Sequence, residues 1–323
     1  MKELKVGFIG AGGRARSAHY PCVSRLEGVR IEAVAELDES RMREVVERYD
    51  IPHAFLCKSD TDYQRMLESV ELDVVYVIMG PSFMTQPAIG CMNAGKHVFI
   101  EKPAGANSDE TRQLLEAAEA NNVYCMVGYQ RRYAAVTQEA MRLVKARGPA
   151  TLAMGEFHKP GDYRKDNMDA LWSDICHVVD LVRYMIGSEP VEVTAYQDAH
   201  ENGRKNCFNG LIRFANRAVG IVTGCRHSGG RYLRSELHGL GIGCYMRIPE
   251  SIEIYEESKD PRVLSGAEVA GMDAGDFFAY EGTLAMHQHF VECVRKGETP
   301  SSDIRDVIHT SLLVDRLAGD CFP

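Results

Sequence analysis

Hydrophobic and polar positions over the first 125 or so residues follow two alternating rhythms. Compact runs rich in Val, Ile and Phe at 4–9, 29–35, 73–79, 96–101 and 123–129 read as strands. Between them, residues 40–50, 61–70, 85–96 and 108–122 have helical patterning, with serine or threonine at the starts and Gly95 ending one of them. The alternation predicts an α/β domain over residues 1–125, a doubly wound parallel sheet with crossover helices.

From Gly148-Pro149 the pattern changes. Strand-like segments dominate at 151–157, 192–197, 207–214, 218–224, 232–239, 245–249 and 251–257, and imply an α+β domain with a large open, mainly antiparallel sheet. Helices are expected at 168–187, 283–297 and 302–319, and a connecting helix at 134–146. The division falls between about 123 and 150, giving domains 1–125 and 126–323. The chain shows no internal repeat and no low-complexity segment.

Composition narrows the function. The net charge of −9 argues against a nucleic-acid partner, which needs a basic face. No run approaches the roughly 18 apolar residues of a membrane span, and charges stand directly before the first strand, so a cytoplasmic protein is expected. Ten cysteines are scattered without a C-x2-C pair, and several lie in apolar runs, so they read as packed thiols and no metal site is expected.

Gly10-Ala11-Gly12-Gly13-Arg14-Ala15 follows the first strand, a G-x-G-x-x-A sequence at a strand-to-helix turn. Gly10 fits the tight turn, Gly12 lets backbone approach a pyrophosphate beside Gly13, and small Ala15 lets the helix pack on the sheet. The second strand ends at Glu36, near the spacing of an acid that binds adenosine ribose hydroxyls. A carboxylate there repels a 2′-phosphate, and Leu37 offers no compensating charge. NAD is therefore favoured over NADP.

Four ordered segments carry a resemblance: residues 10–21 (GAGGRARSAHYP), 94–103 (AGKHVFIEKP), 127–133 (VGYQRRY) and 287–300 (HQHFVECVRKGETP). Together they resemble the Gfo/Idh/MocA family over nearly the whole chain. The resemblance implies a Rossmann domain followed by a substrate-binding and oligomerisation domain. It also implies a soluble NAD-dependent dehydrogenase acting on a sugar, polyol or sugar derivative, assembled as a homodimer or homotetramer through the exposed sheet face. Glu101-Lys102-Pro103 sits at a strand's carboxyl end, where open parallel sheets bind ligands. The resemblance gives Lys102 the role of holding the reacting hydroxyl, with Glu101 and Pro81 near the cofactor.

His177 is the expected proton acceptor, since histidine titrates near working pH and no metal motif is present to polarise the oxygen. The resemblance places it at the family's catalytic histidine. Asp174, three residues earlier, is expected to share its helical face. The family's usual aspartate lies four residues before the histidine, where this chain has Ser173, and Gly80-Pro81-Ser82-Phe83-Met84 replaces a T-P-P-x-x-H segment. His158 and Tyr163 are further candidates for substrate contact. Alternative readings are a non-catalytic dinucleotide-dependent sensor, or a relative that recycles NAD to epimerise or cleave its substrate.

Overall fold

The computed structural model describes residues 3–161, 170–199 and 205–319. The chain forms two compact units: Met1–Gly128 with Thr283–Ile308, and Tyr129–Gly282 with His309–Pro323. Among the described residues no helix is long and apolar enough to cross a membrane.

The first unit is built on six strands: β1 Leu4–Ile9, β2 Val29–Glu36, β3 His53–Leu56, β4 Val74–Val77, β5 His97–Ile100 and β6 Cys125–Val127. They lie in the order β3-β2-β1-β4-β5-β6, every pair parallel. All four residues of β4 are buried, which is how a strand covered on both faces reads. The sheet order reverses between β1 and β4, which makes the carboxyl ends of those strands the ligand-binding end of a doubly wound sheet. Asp38 starts the helix Glu39–Tyr49 by accepting the N–H groups of Ser40 and Arg41, and Asn107 caps Ser108–Ala120 in the same way. The helix Thr283–Lys296, far along the chain, completes this core, placing His287 and Phe290 against Tyr76 and Phe99.

The second unit carries eight strands: β7 Leu152–His158, β8 Pro190–Asp198, β9 Cys207–Phe214, β10 Val219–Cys225, β11 Tyr232–Gly239, β12 Ile242–Arg247, β13 Ser251–Glu256 and β14 Arg262–Ser265. Their order is β14-β13-β12-β11-β7-β10-β9-β8, antiparallel except where β7 meets β10. Buried and half-buried positions alternate along β7 and β10, so one face is packed and the other open. The helix Cys176–Ile186 lies on the packed face. Its close seat depends on missing side chains. A Cβ on Gly155 would come 2.8 Å from Val178, one on Gly220 2.8 Å from Val182, and one on Gly224 2.3 Å from Ile175.

Two strands escape the sequence pattern. β3 is short and mostly exposed, and β14 is likewise a solvent-facing edge, so neither carries an apolar run. The expected connecting helix is present as Ala135–Lys145.

Candidate functional site

After β1 the chain turns at Gly10, whose φ is 100°. A Cβ there would come 2.4 Å from the Ile78 carbonyl oxygen, so the turn needs glycine. At Gly12 and Gly13, by contrast, a Cβ would meet no atom within 4 Å. The turn therefore leaves bare backbone beside open space, the kind of cradle a pyrophosphate fills at a helix start. Ala15 is fully buried and opens a wide helical turn, Ala15–His19.

Glu36 ends β2 and is nearly buried. Its Oε2 accepts the Ala11 N–H from the glycine turn, and its Oε1 accepts the N–H groups of Leu37 at 2.7 Å and Asp38 at 3.0 Å. A carboxylate has about four acceptor directions, so roughly one remains for a ligand hydroxyl. The neighbouring pocket is lined by residues including Glu36, Leu37, Cys57, Asp60 and Met79, two of them acids. These residues fit the adenosine end of a dinucleotide: a shaped glycine turn, an acceptor with a free lone pair, and an exposed apolar Leu37 beside it.

At the carboxyl end of β5, Glu101 is buried with three donors around it. His19 Nε2 lies 2.7 Å and Arg14 Nε 3.1 Å from Oε1, and the Lys102 N–H reaches Oε2 at 3.0 Å. Burial alone would raise this carboxyl; the His19 hydrogen bond and the charges of Arg14 and Lys102 outweigh it and hold the group well below the usual carboxylate range. Behind His19, its Nδ1 meets His287 Nε2 at 3.0 Å. Burial first, and then His19, keeps the His287 pKa well below that of an ordinary histidine. Glu101 is thus an ionised anchor whose second oxygen fixes the backbone of Lys102.

In the second unit His177 begins the helix Cys176–Ile186, directly after a π-helical turn, Leu171–Ile175. Such turns are uncommon and recur at functional sites. The imidazole is nearly buried, edge-on to Tyr129 and Phe157 at ring distances of 6.1 and 6.3 Å. Three residues on, Asp180 pins the helix. It pairs with fully buried Arg132, whose Nε lies 2.7 Å from Oδ2, and accepts the Thr310 hydroxyl at 2.9 Å. The Arg132 guanidinium also lies over the Tyr184 ring, 4.8 Å from its centroid.

Residues 4–129 match the family model described as an oxidoreductase family with an NAD-binding Rossmann fold, and residues 120–241 match the GFO/IDH/MocA C-terminal domain. The chain belongs to the Gfo/Idh/MocA oxidoreductase family. Among curated relatives it is 26% identical to the uncharacterized oxidoreductase YrbE of Bacillus subtilis over 200 residues, 60% of this chain and 57% of that one. It is 23% identical to a myo-inositol 2-dehydrogenase of Thermotoga maritima over 240 residues, 70% of this chain and 69% of that one. The matched stretch therefore spans little more than half of the first of these relatives. A solved structure of levoglucosan dehydrogenase in complex with NADH and L-sorbose has the same fold, with a TM-score of 0.84 at 21% identity, covering 99% of this chain and 97% of that one.

In this Gfo/Idh/MocA protein the other residues singled out from sequence occupy separate local settings. Asp174 lies inside the π-helical turn that leads into the helix of His177. Its carboxylate pairs with buried Arg226 and, at 3.7 Å, with Lys159. His158 ends β7 one residue after Phe157, the residue that meets His177, so strand alternation turns it to the open face. That removes it from the His177 side. Pro81 occupies the first turn of the helix Pro81–Asn93, behind Gly80. Tyr163 lies outside the described residues.

Sequence reasoning gave no role to His19, His287, Arg132 or Arg226. The first three fall within the segments that carry the family resemblance, but His19 pairs with Glu101 82 positions away and with His287 268 away, and Arg132 with Asp180 48 away.

Proposed function

We propose that this Gfo/Idh/MocA protein is a dehydrogenase that uses NAD to oxidise a hydroxyl-bearing carbon of a sugar or polyol. The observation that carries the proposal is the Glu101–Lys102 arrangement: a locked, ionised carboxylate holding the lysine backbone at the carboxyl end of β5, in the same unit as the glycine turn. The inositol substrate in one relative's name and the levoglucosan and L-sorbose in that of a solved neighbour support the polyhydroxy class. Glu36 and Asp60 line the groove beside the glycine turn, and two acids there disfavour the extra phosphate of NADP.

The bound dinucleotide supplies the hydride acceptor. Gly10, Gly12, Gly13 and Ala15 would hold its phosphates, Glu36 would accept a ribose hydroxyl, and Pro81 and Glu101 would lie on the nicotinamide side. Loss of hydride acidifies the substrate hydroxyl, so a base must receive its proton and a positive charge must steady the oxygen. His177 is assigned the base and Lys102 the charge. Asp174, already paired with Arg226 and Lys159, is assigned to orient the substrate or His177. The exposed Tyr196 and Leu211 on the eight-stranded sheet support a homo-oligomer through that face.

The test is a panel of inositols, monosaccharides and sugar derivatives incubated with NAD, following reduced nicotinamide by absorbance. Activity on at least one polyhydroxy substrate is expected, and His177→Ala and Lys102→Ala should each lower turnover by about 100-fold or more. Full activity in either variant removes that residue from the chemistry, and a wholly inactive panel defeats the assignment.

A further inference from the structure

Cys207 and Cys225 lie directly opposite each other on the antiparallel pair β9 and β10. The Arg226 N–H donates to the Asn206 carbonyl at 2.8 Å, which makes 207 and 225 a non-hydrogen-bonded pair, the class in which side chains approach closest. Such pairs have Cα atoms about 4.5 Å apart, inside the roughly 4.4–6.8 Å range that disulfides span. Both residues are half-buried, whereas the other seven described cysteines are buried. Polar hydrogens already surround the sulfurs: the His227 N–H lies 3.4 Å from Cys225 Sγ, and Asn209 Nδ2 lies 3.8 Å from Cys207 Sγ.

We propose that Cys207 and Cys225 form a reversible modification site, a cross-strand dithiol that low-molecular-weight disulfides such as oxidised glutathione convert to an intrachain disulfide. One protein thiolate attacks a sulfur of the small disulfide RS–SR, breaking its S–S bond, forming a mixed disulfide and releasing RS⁻. The second protein thiolate then attacks the protein sulfur of that mixed disulfide. The Cys207–Cys225 bond forms, the second RS⁻ leaves, and the two protons given up by the cysteines pass to the two released thiolates. The protein is oxidised by two electrons and one RS–SR is reduced to two RSH. Burial, followed by the neighbouring Cys225, raises the Cys207 thiol, so the exchange quickens with rising pH. The site lies one residue from Arg226, the buried cation that pairs with Asp174 and reaches the Gly161 carbonyl at 2.8 Å.

The experiment incubates the full-length, fully reduced protein with defined ratios of oxidised to reduced glutathione, quenches with N-ethylmaleimide, and reads intact mass and a peptide map. The expected result is a species lighter by two hydrogens before alkylation, with peptides containing 207 and 225 linked, and full reversal by dithiothreitol. Cys225→Ser and Cys207→Ser, checked for fold by circular dichroism, should instead hold one glutathione on the remaining cysteine. Separate glutathione adducts on both cysteines of the wild type, alkylation of both at every ratio, or a link through other cysteines overturns the proposal.

Discussion

His19 Nε2 lies 2.7 Å from Glu101 Oε1, and both side chains are buried. The pair ties the helical turn after the glycine loop to the end of β5, and through the second Glu101 oxygen to the backbone of Lys102. His19→Leu removes a hydrogen bond to a buried charge and is expected to lower unfolding free energy by about 1.5–3 kcal/mol. Urea unfolding at neutral pH measures this, and an unchanged midpoint would show that the pair is dispensable.

Behind that pair, His287 stays neutral in the fold although an unfolded histidine titrates near 6.5. Because its folded pKa is depressed, its stabilising contribution is complete above about pH 6.5 and is lost as the pH falls. Glu101 adds a second, more acid window: its depressed carboxyl gives stability above the ordinary value of 4.5 that is lost below it. Unfolding free energy should therefore decline from about pH 6.5 downwards, and His287→Gln should flatten the slope between about pH 6.5 and 5. An identical slope in the variant would place the proton uptake elsewhere.

Glu36 braces the glycine turn through Ala11, and the proposed function gives its remaining acceptor direction to the ribose. Glu36→Ser combined with Leu37→Arg is expected to shift the ratio of kcat/KM for NAD over NADP by about 10-fold or more towards NADP, or roughly 1.4 kcal/mol. Steady-state kinetics with both cofactors checks it. A ratio that stays put would mean that the 2′-phosphate does not approach this position.

The Arg132–Asp180 pair is buried on both sides, at 0% and 1% side-chain exposure. Asp180→Ala strands the guanidinium without its partner and should cost about 3–5 kcal/mol. Arg132→Met with Asp180→Leu removes both charges and should cost less than the single change. Denaturant unfolding of the three proteins decides this, and a double variant weaker than the single would reverse the argument.

Much of the first unit was legible because fully buried parallel strands read as apolar runs and because the glycine turn follows a strand end. β3 was not, since an exposed four-residue edge has no pattern to read. Spacing singled out Glu36, but its grip on Ala11 was invisible, because a strand end and a loop 25 residues apart carry no local signature of contact. His158 takes the open face because its neighbour Phe157 takes the packed one, an alternation that β7 shows along its length. The Arg226 and Lys159 partners of Asp174 were not legible, because they follow strands far from it in sequence. Cys207 and Cys225 look like unrelated packed thiols until the β9–β10 register sets them opposite each other.

The central claim is direct transfer of hydride from a substrate carbinol carbon to the nicotinamide. The most direct measurement uses a polyhydroxy substrate identified from the panel, carrying deuterium at the reacting carbon, with mass spectrometry of the nicotinamide product. One deuterium in each molecule of reduced cofactor is the predicted result, with the label retained on changing the solvent. Reduced cofactor that carries only solvent hydrogen, or labelled substrate oxidised without any reduction of the cofactor, would contradict the account.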